Sequence, residues 1–217
     1  MARTIELCIT DFKDFRKNGF LYVDKTHFIE HVLNSNRIQL FCRPRRVGKT
    51  MNLTMLKYFF DLKEESQELF EGLFIEQSEG YHERNKYPVI YLNFKDLRKE
   101  DYIPTFISLI KQELSCYLQP EQFSDEVEQA LTPPYSTVRT LLKSACKNLY
   151  DIYNIQPIIL IDEYDKPVMD TANTDEFEAV RDFVKAVLSS ALKDNQYLNR
   201  AVMTGVNRIA QESMFSD

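Results

Sequence analysis

The feature that most restricts the fold of this sequence is the alternation of short apolar runs with long amphipathic segments. Four runs have the length and composition of strands: 38–42 (IQLFC), 88–94 (PVIYLNF), 157–161 (PIILI) and 200–204 (RAVMT). They are apolar on both faces, and long helical segments separate them. The pattern therefore predicts strands of a parallel sheet that is covered on both sides.

The segments between these runs carry apolar residues at helical spacing. The helices predicted in this way span 26–34, 50–62, 103–118, 136–150 and 175–193. Thr26 is the expected cap of the first helix. Strands that alternate with helices predict an α/β fold of three layers, αβα, with a mostly parallel sheet. Such a sheet binds its ligands at the carboxyl ends of the strands.

The composition is that of a globular protein of 217 residues, with 44% hydrophobic and 28% charged residues. This length suits one domain with a substantial core. The net charge of -6 argues against a surface that coats nucleic acid. No apolar run approaches the roughly 20 residues that cross a bilayer, and the first residues lack the apolar stretch of a secretory signal.

The cysteines and histidines give no sign of a metal site or a disulfide framework. The cysteines Cys8, Cys42, Cys116 and Cys146 are far apart, which favours reduced and mostly buried thiols in a cytoplasmic protein. His27 and His31 have the spacing of neighbours on a helix face, but no third ligand is close in sequence, so we expect no metal there.

Polar clusters follow three of the four predicted strands. The first strand leads to Gly48-Lys49-Thr50, the third to Asp162-Glu163, and the fourth ends at Thr204-Gly205. The carboxyl ends of parallel strands share one edge of the sheet, so these clusters are expected to meet there.

Residues 43–50 (RPRRVGKT) resemble the phosphate-binding loop G-x-x-x-x-G-K-[ST], with Arg43 in place of the first glycine. The amides of the second half of the loop and of the helix start hold phosphates, Lys49 neutralises their charge, and Thr50 binds magnesium. The missing glycine is expected to strain the start of the loop without removing the phosphate site. A basic turn that caps a helix remains the alternative, and which arginine faces a phosphate stays open.

Asp162 and Glu163 have the form of a second nucleotide motif, in which an apolar strand delivers an aspartate to the site. Asp162 would hold magnesium, and Glu163 would act as general base toward water. Thr204 would hydrogen-bond the γ-phosphate or the attacking water. A strand-end turn with solvated acids, and a Thr-Gly turn, are the structural alternatives. For 165–167 (DKP) we expect an ion-paired turn stopped by proline.

Several motifs together resemble the AAA-ATPase-like domain family of P-loop NTPases. They are YVDKT at 22–26, RPRRVGKT at 43–50, LIDEYDKP at 160–167, TGV at 204–206 and MFSD at 214–217. The family itself carries arginine in place of the first loop glycine, so Arg43 follows its pattern. Val47 departs from it, because the family usually has phenylalanine at that position.

The resemblance implies ATP and Mg²⁺ as cofactors and a set of site residues. Binding of the nucleotide is implied for Tyr22, Asp24, Lys25, Arg43, Pro44, Arg45, Arg46, Val47, Gly48, Lys49 and Thr50. Metal binding is implied for Thr50 and Asp162, and catalysis for Lys49, Glu163 and Thr204. The stretch 22–26 is expected to cover the base or ribose. ATP is preferred to GTP on this likeness, since no guanine-reading N/T-K-x-D element follows the fourth strand.

The resemblance also predicts how the chain is organised. Residues 1–217 form one domain, with a helical segment at 1–36 and a nucleotide-binding core at 37–217. The family's domain continues past this point through a further strand and a lid, often followed by a PD-(D/E)XK nuclease-like domain. An incomplete domain without that C-terminal strand and lid is therefore expected. A nuclease-like module or nucleic acid is a conceivable partner of a longer form.

Three functions are compatible with these residues. The first is Mg²⁺-dependent ATP hydrolysis that drives a conformational switch. The second is a nucleotide-bound regulatory or scaffold module that does not hydrolyse ATP. The third is a small-molecule kinase, which the acids after the third strand disfavour because they suit water as the acceptor.

Overall fold

The computed structural model of the protein describes residues 9–97 and 101–207. Its four strands are β1 (Ile38–Cys42), β2 (Val89–Asn93), β3 (Ile158–Asp162) and β4 (Arg200–Gly205). The α-helices in the described part are α1 (Phe12–Lys17), α2 (His27–Asn34), α3 (Lys49–Phe60), α4 (Gln67–Phe70), α5 (Tyr102–Ser115), α6 (Asp125–Leu131), α7 (Leu141–Tyr153), α8 (Lys166–Asp170) and α9 (Phe177–Leu192). The motif at 214–217 and Cys8 lie outside the described residues.

The four strands form one sheet in the order β1-β4-β3-β2, and all three pairings are parallel. The four predicted strands are confirmed, each within one residue at either end. Every residue of β3 is buried, because this strand lies inside the sheet and is covered on both faces.

Helices cover both faces of the sheet, which confirms the three-layer αβα architecture. Alternate residues of β3 enter different cores, as the two-residue period of a strand requires. Ile158 and Leu160 pack with residues of α1 to α4, whereas Ile159 and Ile161 pack with residues of α5, α6, α7 and α9.

The N-terminal segment shares the first of these cores. Phe12, Ile29 and Val32 are fully buried and belong to the same cluster as Leu53 and Phe59 of α3. Complete burial of a large apolar side chain contributes about 1.5–3 kcal/mol. The segment is therefore packed onto the core, while a division of the chain at residue 36 stays a prediction.

The helix ends differ from the predicted ones where tertiary contacts set them. The helix predicted at 136–150 begins at Leu141, after a 3₁₀ turn at Val138–Thr140, and ends at Tyr153. Thr26 is the N-cap residue of α2, as predicted, but its side chain makes no capping hydrogen bond. Its hydroxyl donates to Asp24 Oδ1 at 2.7 Å and accepts the Ile75 amide at 3.1 Å instead.

Two side chains of α5 and the segment after it cover the free edge of β2. The Tyr117 hydroxyl accepts the Val89 amide at 2.9 Å and donates to the Val89 carbonyl at 3.1 Å. Glu113 Oε2 accepts the Tyr91 amide at 3.0 Å. An uncovered edge strand would offer these backbone groups to another chain, so the two residues protect the sheet at this edge.

The carboxyl groups of Glu113 and of the nearby Asp61 are largely buried at this edge. Burial raises the pKa of Glu113, although the Tyr91 amide and the charge of Lys57 act in the opposite direction. Burial likewise raises the pKa of the nearby Asp61. Both groups therefore resist ionisation in the folded protein.

The described residues bear on two further predictions. None of their helices has the length and apolar character that a membrane span requires. The prediction that the cysteines are mostly buried is wrong for those described: Cys146 is buried, Cys42 is half-buried and Cys116 is exposed.

Because the pKa of Glu113 is raised, we predict that Glu113→Gln increases the free energy of unfolding, and that the increase grows with pH. Glutamine retains an oxygen that accepts the Tyr91 amide, but it has no proton to lose. As pH rises from about 4 to 8, the unfolded wild type ionises before the folded protein does, so wild-type stability falls relative to the variant. Urea unfolding of both proteins across this range measures the difference, and a difference that is constant with pH would contradict the prediction.

Candidate functional site

The strands bring the three polar clusters to one edge of the sheet. β4 lies between β1 and β3, so the loop after β1 and the acids after β3 flank the end of β4. The register pairs Cys42 with Gly205, and the Arg43 amide donates to the Gly205 carbonyl at 3.1 Å. The loop thus begins as a continuation of the β1–β4 ladder.

Asp162 is the point at which these clusters meet. Its side chain is fully buried, and Oδ2 accepts a hydrogen bond from the Thr50 hydroxyl at 2.6 Å. Oδ1 accepts the Thr204 hydroxyl and, at 3.1 Å, the Glu163 amide. One carboxylate therefore joins the start of α3, the end of β3 and the end of β4.

The loop between β1 and α3 places its lysine over its own backbone. Lys49 Nζ donates to the carbonyls of Arg43 and Pro44, each at 3.0 Å. Left-handed backbone occurs at Arg46 (φ 64°) and Gly48 (φ 84°), but not at Arg43. The expected strain at Arg43 is therefore wrong, because arginine suits the conformation at that position.

Several amides of this loop have no acceptor among the described residues. The amides of residues 45–48 form no hydrogen bond there, and those of Lys49, Thr50 and Met51 open a helix, where no intrahelical acceptor exists. The first intrahelical bond runs from the Asn52 amide to the Gly48 carbonyl at 3.0 Å. A run of free amides beside a lysine fits a phosphate group.

The remaining loop side chains face solvent. Arg43, Pro44, Arg45, Arg46 and Val47 are all exposed. None of the three arginines forms an ion pair with an acid in the described ranges. Within those ranges, the structure therefore does not support pairing of these arginines with surface acids. Arg45 and Pro44 line a cavity that Glu163 also borders.

Glu163 lies at an open cavity of about 720 Å³ beside the loop. It is half-buried and has a left-handed backbone, with φ of 50°. Its carboxylate makes no hydrogen bond or ion pair with a described side chain. Arg45, Lys95 and Lys166 line the same cavity, as do Asp165 and Asp170, and Lys166 is paired with Asp170.

Asp165 has a structural role after β3. It is 4% exposed, and its Oδ2 accepts the amides of Val206 at 3.0 Å and Asn207 at 2.7 Å. The turn expected at 165–167 is wrong, because Lys166 and Asp170 are the two ends of α8 and form an ion pair within that helix. Pro167 lies in the first turn of α8, where a missing amide costs nothing.

The residues of the predicted stretch 22–26 occupy different surroundings. The Tyr22 hydroxyl donates to Met55 Sδ at 3.3 Å, and its ring packs edge-on against Phe12. Burial raises the pKa of Tyr22 to about 12. Asp24 accepts hydrogen bonds from Thr26 and from the Phe74 amide. These contacts account for Tyr22 and Asp24 without a nucleotide.

Lys25 is the member of this stretch that reaches the loop. A Cβ added to Gly48 would lie 3.4 Å from Lys25 Nζ. The Lys25 ammonium therefore lies beside Gly48, the N-cap residue of α3.

The oxygen ligands at Asp162 suit magnesium better than a metal held by protein alone. The described residues contain no group of three or more His, Cys, Asp or Glu that could hold a metal ion. His27 instead stacks on Phe74, with ring centroids 3.5 Å apart. A hydroxyl and a carboxylate in contact fit Mg²⁺, which takes one or two such ligands together with phosphates and water.

The sequence reasoning missed Lys95 as a residue of this edge. It lies in the 3₁₀ turn Phe94–Asp96 that directly follows β2. The rule that collects the ends of parallel strands applies to β2 as well, and it points to this residue.

Comparisons with known proteins show the family to which the chain belongs. A family model described as AAA-ATPase_like, Predicted AAA-ATPase, matches residues 6–215. The chain is also 25% identical over 228 residues to a protein of Azotobacter chroococcum mcd 1 described as "Uncharacterized protein in vnfD 5'region". That alignment covers 99% of the chain but 39% of the relative's length. No solved structure gives a significant match.

The close packing around Gly205 predicts that Gly205→Ala destabilises the fold. The added Cβ would lie 2.5 Å from Tyr164 Cε1 and 2.7 Å from Asp165 Oδ1. We expect a loss of about 2 kcal/mol in the free energy of unfolding, measured by urea denaturation. Gly19→Ala is the control: it has no atom within 4 Å and meets only the cost of its φ of 68°, about 1 kcal/mol. Equal losses at both positions would contradict the steric argument.

Proposed function

Because the chain belongs to the predicted AAA-ATPase-like family, we propose that it binds ATP with Mg²⁺ and hydrolyses it as a conformational switch. The observation that carries the proposal is the contact between Thr50 and the buried Asp162, at the edge where the free loop amides and Lys49 lie. A phosphate-binding loop and a metal-binding acid are thus adjacent in space although 112 residues separate Thr50 from Asp162.

Lys49 and the loop amides bind the phosphates in this proposal. The Lys49 ammonium is held by two backbone carbonyls at the start of the loop, and those bonds are exchanged for phosphate oxygens when nucleotide binds. A charged donor and several amides aimed at one anion are the usual basis of phosphate affinity. Of the three loop arginines, Arg45 lines the cavity that also borders Glu163, and we therefore assign it to the phosphates.

Thr50 and Asp162 hold the magnesium ion, which supplies charge neutralisation to the phosphates when bound. Thr204 has a supporting role. Its hydroxyl is engaged by Asp162, and the residue is 2% exposed. We therefore treat Thr204 as a positioning residue that orients the metal-binding carboxylate, in place of the direct phosphate contact expected from the sequence.

Glu163 is the proposed general base. It follows the metal-binding aspartate directly, and its carboxylate faces the cavity without a described partner. The position of Asp162, fixed by three hydrogen bonds, sets the position of the next residue. A general base contributes about 10²–10⁴-fold to a rate when it is aligned with the water that it deprotonates.

Other roles suggested by the resemblance have no support from the geometry. Tyr22 and Asp24 are engaged within the protein, so a contact with the base or ribose rests on the resemblance alone. The same holds for a nuclease-like or nucleic-acid partner, whereas a cytoplasmic location rests on the cysteine pattern alone.

Lys49→Ala tests nucleotide binding. Loss of the ammonium is expected to weaken ATP binding by roughly 100-fold, measured by titration with a fluorescent ATP analogue in the presence of Mg²⁺. Lys111→Ala is the control, because Lys111 is exposed on α5 near the end that contacts the start of β2, away from the site. Unchanged affinity in a folded Lys49→Ala protein would refute the site.

Glu163→Gln tests hydrolysis separately. The amide retains the size of the side chain but cannot accept a proton, so binding of ATP should persist while phosphate release falls at least about 100-fold. Equal turnover in variant and wild type would refute the role of Glu163. Tight binding by the wild type without any phosphate release would favour the regulatory or scaffold alternative.

A further inference from the structure

A cation from outside the phosphate-binding loop stands over the start of α3. Lys25 Nζ is placed 3.4 Å from the position of a Cβ built on Gly48. Gly48 is the N-cap of α3, with φ of 84°, and precedes Lys49 directly. Lys25 therefore approaches the loop from the N-terminal segment, on a part of the chain that the loop motif does not include.

The neighbouring carboxylate does not neutralise Lys25. Asp24 Oδ1 accepts the Thr26 amide at 2.8 Å and the Thr26 hydroxyl at 2.7 Å, and Oδ2 accepts the Phe74 amide at 2.7 Å. Burial acts to raise the pKa of Asp24, but these hydrogen bonds lower it on balance. Within the described ranges, the Lys25 ammonium has neither a hydrogen bond nor an ion pair.

The backbone that carries Lys25 is held in place. Thr26 is fully buried, and its hydroxyl accepts the Ile75 amide at 3.1 Å. α2 begins at the next residue, and its Ile29 is fully buried in the core. The direction of approach is thus set by the fold, although the lysine side chain itself is exposed.

The arrangement is electrostatically unfavourable without a ligand. The N-terminus of a helix carries a partial positive charge, and Lys49 adds a second ammonium at the same loop. Lys25 brings a further positive charge to this place. An anion with several charges is the ligand that turns this repulsion into attraction.

We propose that Lys25 is a second phosphate-binding lysine, which makes the site select nucleotides by their number of phosphates. The inference rests on the proposed function, because it concerns the same loop. It assigns Lys25 to the phosphates and removes it from the base or ribose.

Lys25→Met tests the inference, because methionine keeps an apolar stem of similar length without the charge. We expect the Kd for ATP to rise about tenfold, the Kd for ADP to rise less, and the binding of adenosine to stay the same. The dependence of ATP affinity on salt concentration should also weaken. Lys25→Arg should restore affinity to within about threefold, and Lys111→Met should leave it unchanged.

The outcomes separate this inference from the proposed function. If the wild type binds ATP and Lys25→Met binds it equally well, the inference fails while the function stands. If Lys25→Met loses ATP and adenosine to the same extent, or melts well below the wild type without nucleotide, its role is structural and the inference fails. If the wild type binds no nucleotide while Lys49→Ala behaves identically, the proposed function fails and the inference falls with it.

Discussion

The buried carboxylate of Asp162 is the interaction on which the site depends. It accepts hydrogen bonds from the hydroxyl groups of Thr50 and Thr204 and from the amide of Glu163. A fully buried carboxylate is costly unless such donors compensate it. The compensation here comes from α3, from β4 and from the residue that follows β3, and it fixes the ends of these three elements relative to one another. The carboxylate that we propose as the magnesium ligand is thus stabilised by donors of the protein itself.

The sheet makes this arrangement possible. Parallel strands end at one edge, and the order β1-β4-β3-β2 puts β4 between the loop-bearing strand and the acid-bearing strand. Helices on both faces keep water from the strands, so the polar groups concentrate where the strands end. At the outer edge of β2, Glu113 and Tyr117 satisfy backbone groups that a further strand would otherwise take. The site edge stays open while the lateral edge is covered.

Much of the fold and of the site could be predicted from the sequence. The apolar runs and the long amphipathic segments have strong periodicity, so the strands and major helices follow from local pattern. Short helices such as α1, α4, α6 and α8 could not be predicted, because four to seven residues carry too little periodic signal. Lys25 was assigned to the nucleotide by resemblance, but its approach to Gly48 depends on how 9–36 packs on α3. The left-handed backbone of Arg46 could not be predicted either, because it depends on how the loop 43–50 folds back on itself through the bonds of Lys49 to the carbonyls of Arg43 and Pro44.

Two hydrogen bonds connect the acid-bearing segment after β3 to the chain that leaves β4. Asp165 Oδ2 accepts hydrogen bonds from the amides of Val206 and Asn207, and Glu163, two residues before it, borders the cavity beside the loop. Because only one residue lies between Glu163 and Asp165, the wall of the cavity and the chain that leaves the central strand β4 are joined through a short, hydrogen-bonded connection.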